Sequence, residues 1–129
     1  MSASLALLAR LLLASIFLIS GVRKILGFAA VSGMMGAKGF PSADVVLVLT
    51  IALEIGGGLM LVANWNATWA ALALAAFTLA AGVIFHGFWN FWGAPPAEYN
   101  SQLNHFLKNI AIIGGLLHVA AVSSEKTRA

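Results

Sequence analysis

The stretch ATWAALALAAFTLAAGVIFHGFWNFW, residues 67–92, decides the fold of this chain. It carries no Asp, Glu, Lys or Arg, and it has tryptophans near both ends. From Trp69 to Trp89 an α-helix would rise about 30 Å, which is the thickness of the hydrocarbon core of a bilayer. Tryptophan and tyrosine concentrate at both membrane–water interfaces. The stretch therefore predicts a membrane-spanning helix over residues 67–91 with an aromatic belt at each surface.

The rest of the chain has the same apolar character. Of its 129 residues 61% are hydrophobic and 9% are charged, whereas about a quarter of the residues in an average soluble domain are charged. A spanning helix needs roughly 20 mostly apolar residues, so this length accommodates four spans. The predicted helices cover residues 4–26, 43–63, 67–91 and 101–122. We predict an all-α integral membrane four-helix bundle that forms a single domain over residues 1–129.

The stretch FAAVSGMMGAKGFPS, residues 28–42, separates the first two predicted spans. It is too short and too rich in glycine to cross a bilayer, but its apolar residues recur at helical spacing. We therefore predict a short interfacial or re-entrant segment. Both termini then fall on one face of the membrane, and the two longer loops fall on the other, the long-loop face. Basic residues occur near both faces, so the sequence leaves the orientation open.

Charge and cysteine content exclude several classes of function. The formal net charge is +3, but the seven Lys and Arg residues are scattered and form no basic stripe, which argues against nucleic-acid binding. The chain has no cysteine, so thiol redox chemistry, thiolate metal sites and disulfides are excluded. A redox role would therefore need a bound cofactor.

Glu54 is the clearest departure from the apolar pattern. It lies about ten residues from either end of its predicted helix, close to the membrane midplane, where a charged group is costly and usually faces a bundle interior or a wet cavity. Gly57 and Gly58 lie three and four residues further on, on the same helix face. A neighbouring helix or a ligand can therefore come close to the carboxylate.

Two other predicted helices carry a polar face. In the first helix, Arg10, Phe17, Gly21 and Lys24 share one side, and Arg23 points elsewhere. In the last helix one stripe over the first two turns holds Ser101, Gln102, His105, Lys108 and Asn109. Together with His86 these side chains predict a polar pocket between the four helices, near the long-loop face, with Glu54 at its floor.

Each of these residues also has a purely structural interpretation. Glu54 can form an intramembrane ion pair with Lys24 or Lys108 that only fixes the helix register. His86 and His105 could in principle ligate a haem or a metal ion. We disfavour both, because a lone histidine near a membrane interface is more often a hydrogen-bonding residue, and we predict no metal site.

The sequence resembles the DoxX family, small four-helix membrane proteins of bacteria and archaea. The resemblance is carried by LLARLLLASIFLISGVRK (7–24), KGFP (38–41), ALEIGGGLMLV (52–62), FHGFW (85–89) and, most specifically, QLNHFLKNIAIIGGLL (102–117). It implies that the family's polar positions fall on Arg10, Lys24, Glu54, His86, Lys108 and Asn109. It implies that the family's glycines fall on Gly21, Gly57, Gly58, Gly114 and Gly115. Arg23 and the turn Asn64–Trp65–Asn66 depart from the family pattern.

Membership of this family implies a multi-pass protein of the bacterial inner membrane, and some members are associated with quinone-linked or sulfur-compound oxidation. Our leading hypothesis is a membrane subunit that binds a small amphipathic or anionic ligand, with quinone as a candidate, and acts with a redox partner protein. Lys24 and Lys108 would hold ligand oxygens, and Glu54 and His86 would exchange protons. The alternatives are a small transporter or permeation pathway for protons or a weak acid, and a structural or anchoring subunit. The lipid bilayer is the expected environment, a homo-oligomer is compatible with the sequence, and catalysis is left open.

Overall fold

A computed structural model describes residues 2–128 of the chain, with side chains for residues 2–124. The helices are α1 (Ala3–Leu26), α2 (Phe28–Ala37), α3 (Ala43–Ala63), α4 (Ala67–Phe85), a 3₁₀ helix (Phe88–Phe91) and α5 (Pro96–Arg128). The described part of the chain contains no strand. Four of its helical segments are long and apolar enough to cross a membrane. The predicted all-α membrane fold is confirmed, and these elements fit a four-helix bundle.

The helices form two compact units, with the division between Asn66 and Ala67. The first unit contains α1, α2 and α3, and the second contains α4, the 3₁₀ helix and α5. The single domain over residues 1–129 stays a prediction.

In the first unit α1 and α3 pack as an antiparallel pair. The Arg10 side chain reaches the carbonyl of Leu61 near the end of α3, and Lys24 reaches Glu54 in the middle of α3. Between these contacts α1 buries Ala14, Phe17 and Gly21, which recur at spacings of three and four residues. Such spacing keeps one face of a helix against its neighbour. The polar face predicted for the first helix is therefore confirmed.

The short α2 lies beside the beginning of α3. It is a helix of 10 residues, too short to span, as predicted for the segment between the first two spans. Met35 is buried, and the Ser32 hydroxyl hydrogen-bonds the Asp44 carboxylate in the first turn of α3. Glycines bound α2 on both sides. Gly27 separates it from α1, and Gly39 adopts a positive φ that favours glycine in the turn before α3.

In the second unit α4 and α5 also run antiparallel. Thr68 donates a hydrogen bond to the Ala120 carbonyl at one end of the pair, and His86 meets Gln102 at the other. The buried side of α4 consists mostly of alanines together with Leu74, and Leu116 of α5 is fully buried. Small residues on a membrane helix let a second backbone approach closely. The abundance of alanine in α4 thus favours this tight pairing.

Two helix boundaries differ from the prediction. The α-helix predicted to reach Phe91 ends at Phe85, because the backbone leaves helical geometry at Gly87 and the chain then folds into the 3₁₀ helix. The rings of Phe88 and Trp89 pack edge-on against Phe106 of α5. As α4 has 19 residues, it rises about 28 Å, and Trp89 lies beyond its end.

The last helix begins five residues earlier than the predicted Ser101. Proline is well tolerated at the first position of a helix because it lacks only an N–H that would have no partner there. Pro96 occupies that position in α5, and Glu98 lies in the first turn, where a carboxylate interacts favourably with the helix dipole. These two start signals outweigh the loop character of the sequence before Ser101.

Candidate functional site

The centre of the candidate site is an ion pair between Lys24 of α1 and Glu54 of α3. The Lys24 Nζ lies 2.6 Å from the Glu54 Oε1. The Glu54 side chain is 3% exposed and the Lys24 side chain is 27% exposed. Both residues belong to segments that are long and apolar enough to span a membrane. The carboxylate is thus enclosed, while the ammonium retains accessible surface.

Gly21 lets the two helices come close enough for this pair to form. A Cβ atom at Gly21 would lie 2.5 Å from the Cγ1 of Ile55 and 3.6 Å from the Cβ of Glu54. Gly21 also lies one turn before Lys24, so both residues share the face of α1 that meets α3. The absence of a side chain at Gly21 therefore brings the Lys24 ammonium within reach of the carboxylate.

Gly58 provides a second close approach between the same helices. A Cβ atom there would lie 2.8 Å from the Cδ2 of Leu18 and 3.6 Å from the Ala14 carbonyl oxygen. Gly57 is also buried. The glycines that follow Glu54 along α3 thus lie against α1, and the space beside the carboxylate is filled by α1 in this structure.

Arg10 lies at the opposite end of the α1–α3 contact. Its Nε donates a hydrogen bond of 3.0 Å to the carbonyl oxygen of Leu61, and its side chain is half-buried. The last carbonyls of a helix have no intrahelical partner, and a basic side chain can satisfy them. Arg10 therefore stabilises the end of α3 and is not part of the Lys24–Glu54 pair.

A second polar cluster lies in the other unit, where α4 ends. The His86 Nδ1 is 3.1 Å from the Gln102 Oε1, and the His86 ring stacks on the ring of His105 with centroids 4.7 Å apart. If the amide oxygen faces the imidazole as assigned, His86 donates from Nδ1 and its Nε2 is an acceptor. This cluster brings together His86, Gln102 and His105, as the stripe on α5 requires.

Asn109, further along the same stripe, binds the backbone of α4. Its Nδ2 donates a hydrogen bond of 3.2 Å to the Thr78 carbonyl oxygen. A Cβ atom at Gly82 would lie 3.0 Å from that Nδ2, so glycine makes room for the amide. The Thr78 hydroxyl in turn donates to the Leu74 carbonyl at 2.6 Å.

Thr78 and Gly82 are partners that sequence reasoning missed. A threonine and a glycine four residues apart lie on one face of a helix. That spacing, inside a run of alanine and leucine, was the available signal.

Several predicted residues are not drawn into either cluster. Lys108 and His105 are exposed, and Lys24 rather than Lys108 is the partner of Glu54. A Cβ atom at Gly114 would meet nothing within 4 Å, and Gly115 is half-buried. Among the described residues no three histidine, aspartate or glutamate side chains converge as a metal site would need.

Comparison with known proteins places this geometry in a family. The family model described as DoxX matches residues 5–87, more than half of the chain. The chain belongs to the DoxX family. The match includes Arg10, Lys24, Glu54 and His86. It ends before α5, so the polar stripe of α5 lies outside the part of the chain that the DoxX model covers.

Two curated relatives of this DoxX-family protein come from Escherichia coli (strain K12). Inner membrane protein YqjF is 39% identical over 114 residues, which cover 88% of this chain and 80% of the relative. Inner membrane protein YphA is 27% identical over 116 residues, which cover 90% of this chain and 81% of the relative. No solved structure is significantly similar to the chain. Taken with the four spanning helices, these relatives identify a multi-pass protein of the inner membrane.

Proposed function

We propose that this DoxX-family protein is a membrane subunit that binds a small amphipathic ligand through an anionic or carbonyl oxygen, and that it acts with a redox partner protein. The Lys24–Glu54 ion pair carries the proposal. Charged side chains within membrane-spanning helices are costly and rare, and they commonly mark ligand or proton pathways. The pair lies in two such segments of this chain.

The unequal exposure of the two partners supports a ligand with an acceptor oxygen. An ammonium group has three N–H donors, and Glu54 takes one of them. Since the accessible partner is the cation, the remaining donors of Lys24 favour a carbonyl or anionic oxygen over a cationic group. A ligand that also fits an apolar span must carry an apolar body, and a quinone combines both features.

Proton exchange is the role that we propose for Glu54. Reduction of a quinone to a quinol takes two electrons and two protons, and a carboxyl group next to the ligand can supply a proton. His86, in the second unit, is the other side chain that we propose exchanges protons, because imidazole is the commonest acid–base group in proteins. The chain has no cysteine to carry electrons, so the electrons come from a partner protein or its cofactor.

Measuring the quinone that co-purifies with matched variants tests this proposal. The set is the wild type, Lys24→Met, Glu54→Gln and Arg23→Met, each purified in mild detergent and extracted for mass analysis of quinones. Arg23→Met is the matched control, since Arg23 is exposed and adjacent to Lys24 on the same helix. We expect quinone in the wild type and in Arg23→Met, and a loss of most of it from the other two variants.

A scaffold role predicts a different pattern. Glu54 already has a short ion pair with Lys24, and such a pair can serve only to hold α1 and α3 in register. In that case none of the preparations retains quinone, or all four retain the same amount, also when purified protein is incubated with added quinone. Either result would show that the Lys24–Glu54 pair is not a quinone site.

A further inference from the structure

We propose that Arg10 binds the phosphate of an anionic phospholipid at the end of the first unit where α3 meets the turn Asn64–Trp65–Asn66. The proposal concerns the opposite end of the α1–α3 contact from the Lys24–Glu54 pair. Arg10 and Lys24 are separated by about 21 Å of helical rise. The two sites are therefore independent.

The guanidinium of Arg10 has donors to spare. Arginine carries five N–H donors in a planar fork. The contact with the Leu61 carbonyl uses the Nε donor, which leaves those of the two terminal nitrogens. A planar fork of this kind matches two oxygens of a phosphate group. The bond to Leu61 also fixes the side chain, so less freedom is lost when an anion binds.

The first unit does not neutralise this charge. Its two carboxylates are Asp44, which binds the Ser32 hydroxyl, and Glu54, which binds Lys24. Both lie towards the other end of the α1–α3 pair. A half-buried guanidinium without a carboxylate in its own unit favours an anion from the surroundings.

The position of Arg10 along the helices matches the level of lipid headgroups. Side chains of an α-helix lean towards its N-terminus, so Arg10 points to the end of the unit that contains the 64–66 turn. The Trp65 side chain in that turn is 63% exposed, and exposed tryptophans concentrate at the membrane interface. The 21 residues of α3 rise about 31 Å, so its ends reach the two membrane surfaces.

The neighbourhood of Arg10 favours a lipid over free phosphate. Leu7, one turn earlier on α1, and Leu11, the next residue, are both exposed apolar side chains. They offer surface to acyl chains while Arg10 holds the phosphate. An anionic phospholipid is favoured over a zwitterionic one, because its headgroup carries no cation that competes for the phosphate.

Lipid-binding measurements on the full chain test the proposal. Native mass spectrometry gives apparent dissociation constants for phosphatidylglycerol and phosphatidylcholine with the wild type, Arg10→Gln, Arg10→Lys and Arg23→Gln. We expect Arg10→Gln to weaken phosphatidylglycerol binding about fivefold, the effect of about 1 kcal/mol per basic residue at an anionic surface. Arg23→Gln removes the same charge from the same helix and should bind like the wild type. Binding of phosphatidylcholine should not change in any variant.

Two further arms keep the result decisive. Arg10→Lys retains the charge but lacks the planar fork, so we expect at least twofold weaker phosphatidylglycerol binding even if Arg10→Gln does not fold. Wild-type affinity in Arg10→Lys, or an equal loss in Arg23→Gln, would overturn the proposal. Thermal unfolding with added inorganic phosphate separates the two sources of phosphate. If inorganic phosphate raises the midpoint as much as phosphatidylglycerol does, the lipid assignment is wrong.

Discussion

Lys24 and Glu54 are 30 positions apart in the sequence, and their charged atoms lie 2.6 Å from each other. Lys24 is two residues from the end of α1, whereas Glu54 follows the start of α3 by about 16 Å of helical rise. The first turns of α3 therefore extend beyond the end of α1. The short α2 lies against this extension through the Ser32–Asp44 contact. Depth estimated along one helix thus does not locate a side chain that reaches to another.

The stability of the α1–α3 pair should depend on both charges together. Glu54→Gln leaves the Lys24 ammonium without its counter-charge, and we expect a loss of about 2–3 kcal/mol in the free energy of unfolding. The double variant Glu54→Gln/Lys24→Met removes both charges and should regain part of that loss. Denaturation in mixed detergent micelles gives the four values of the cycle. Additive losses would mean that the two side chains do not interact.

A second prediction concerns the glycine that permits the ion pair. Gly21→Ala places a Cβ atom 2.5 Å from the Ile55 Cγ1, and a β-branched side chain has little freedom to rotate away. We expect the helices to separate, at a cost of about 1–3 kcal/mol. Gly56→Ala is the control, since a Cβ atom there would meet nothing within 4 Å. Equal effects of the two substitutions in the same denaturation assay would contradict the close contact at Gly21.

The spans and the outlying residue Glu54 were predictable from sequence because each is a local property. Apolar runs of sufficient length identify a spanning helix, and one carboxylate inside such a run identifies itself. The choice of Lys24 over Lys108 as its partner was not predictable. That choice depends on the rotation and relative shift of two helices, which the side chains of Gly21 and Ile55 determine together.

The end of α4 was misjudged for a similar reason. The sequence from Phe85 to Trp92 is apolar and aromatic enough to continue a helix, and only packing against α5 makes the 3₁₀ turn preferable. A Cβ atom at Gly87 would lie 3.0 Å from the Trp89 ring, so the turn folds tightly over the glycine. Asn109 was singled out correctly as a polar residue, but its partner is the backbone of α4, which no side-chain pattern reveals.

The hydrogen bond from Asn109 to the Thr78 carbonyl should contribute modestly to stability. Hydrogen bonds between membrane helices contribute about 0.6 kcal/mol on average and seldom more than about 1.7 kcal/mol. We expect Asn109→Ala to fall in this range, because the Thr78 carbonyl keeps its place in the α4 ladder. Asn104→Ala is the control on the same helix, since Asn104 is exposed. Indistinguishable unfolding free energies for the two variants would argue against the bond.

Four spans make a definite prediction about which loops share a side of the membrane. The chain has no cysteine, so single cysteines can be introduced without removing native ones. Since α3 crosses between Ala37 and Asn66, and α4 crosses between Asn66 and Ala97, successive loops must alternate. Ser2→Cys and Asn66→Cys should react with a membrane-impermeant maleimide from one side of sealed vesicles. Ala37→Cys and Ala97→Cys should react from the other side, with the cysteine-free parent as the blank. Labelling of Ser2→Cys and Asn66→Cys from opposite sides would mean that α1 and α3 do not both cross the membrane, because two crossings return the chain to the side on which it began.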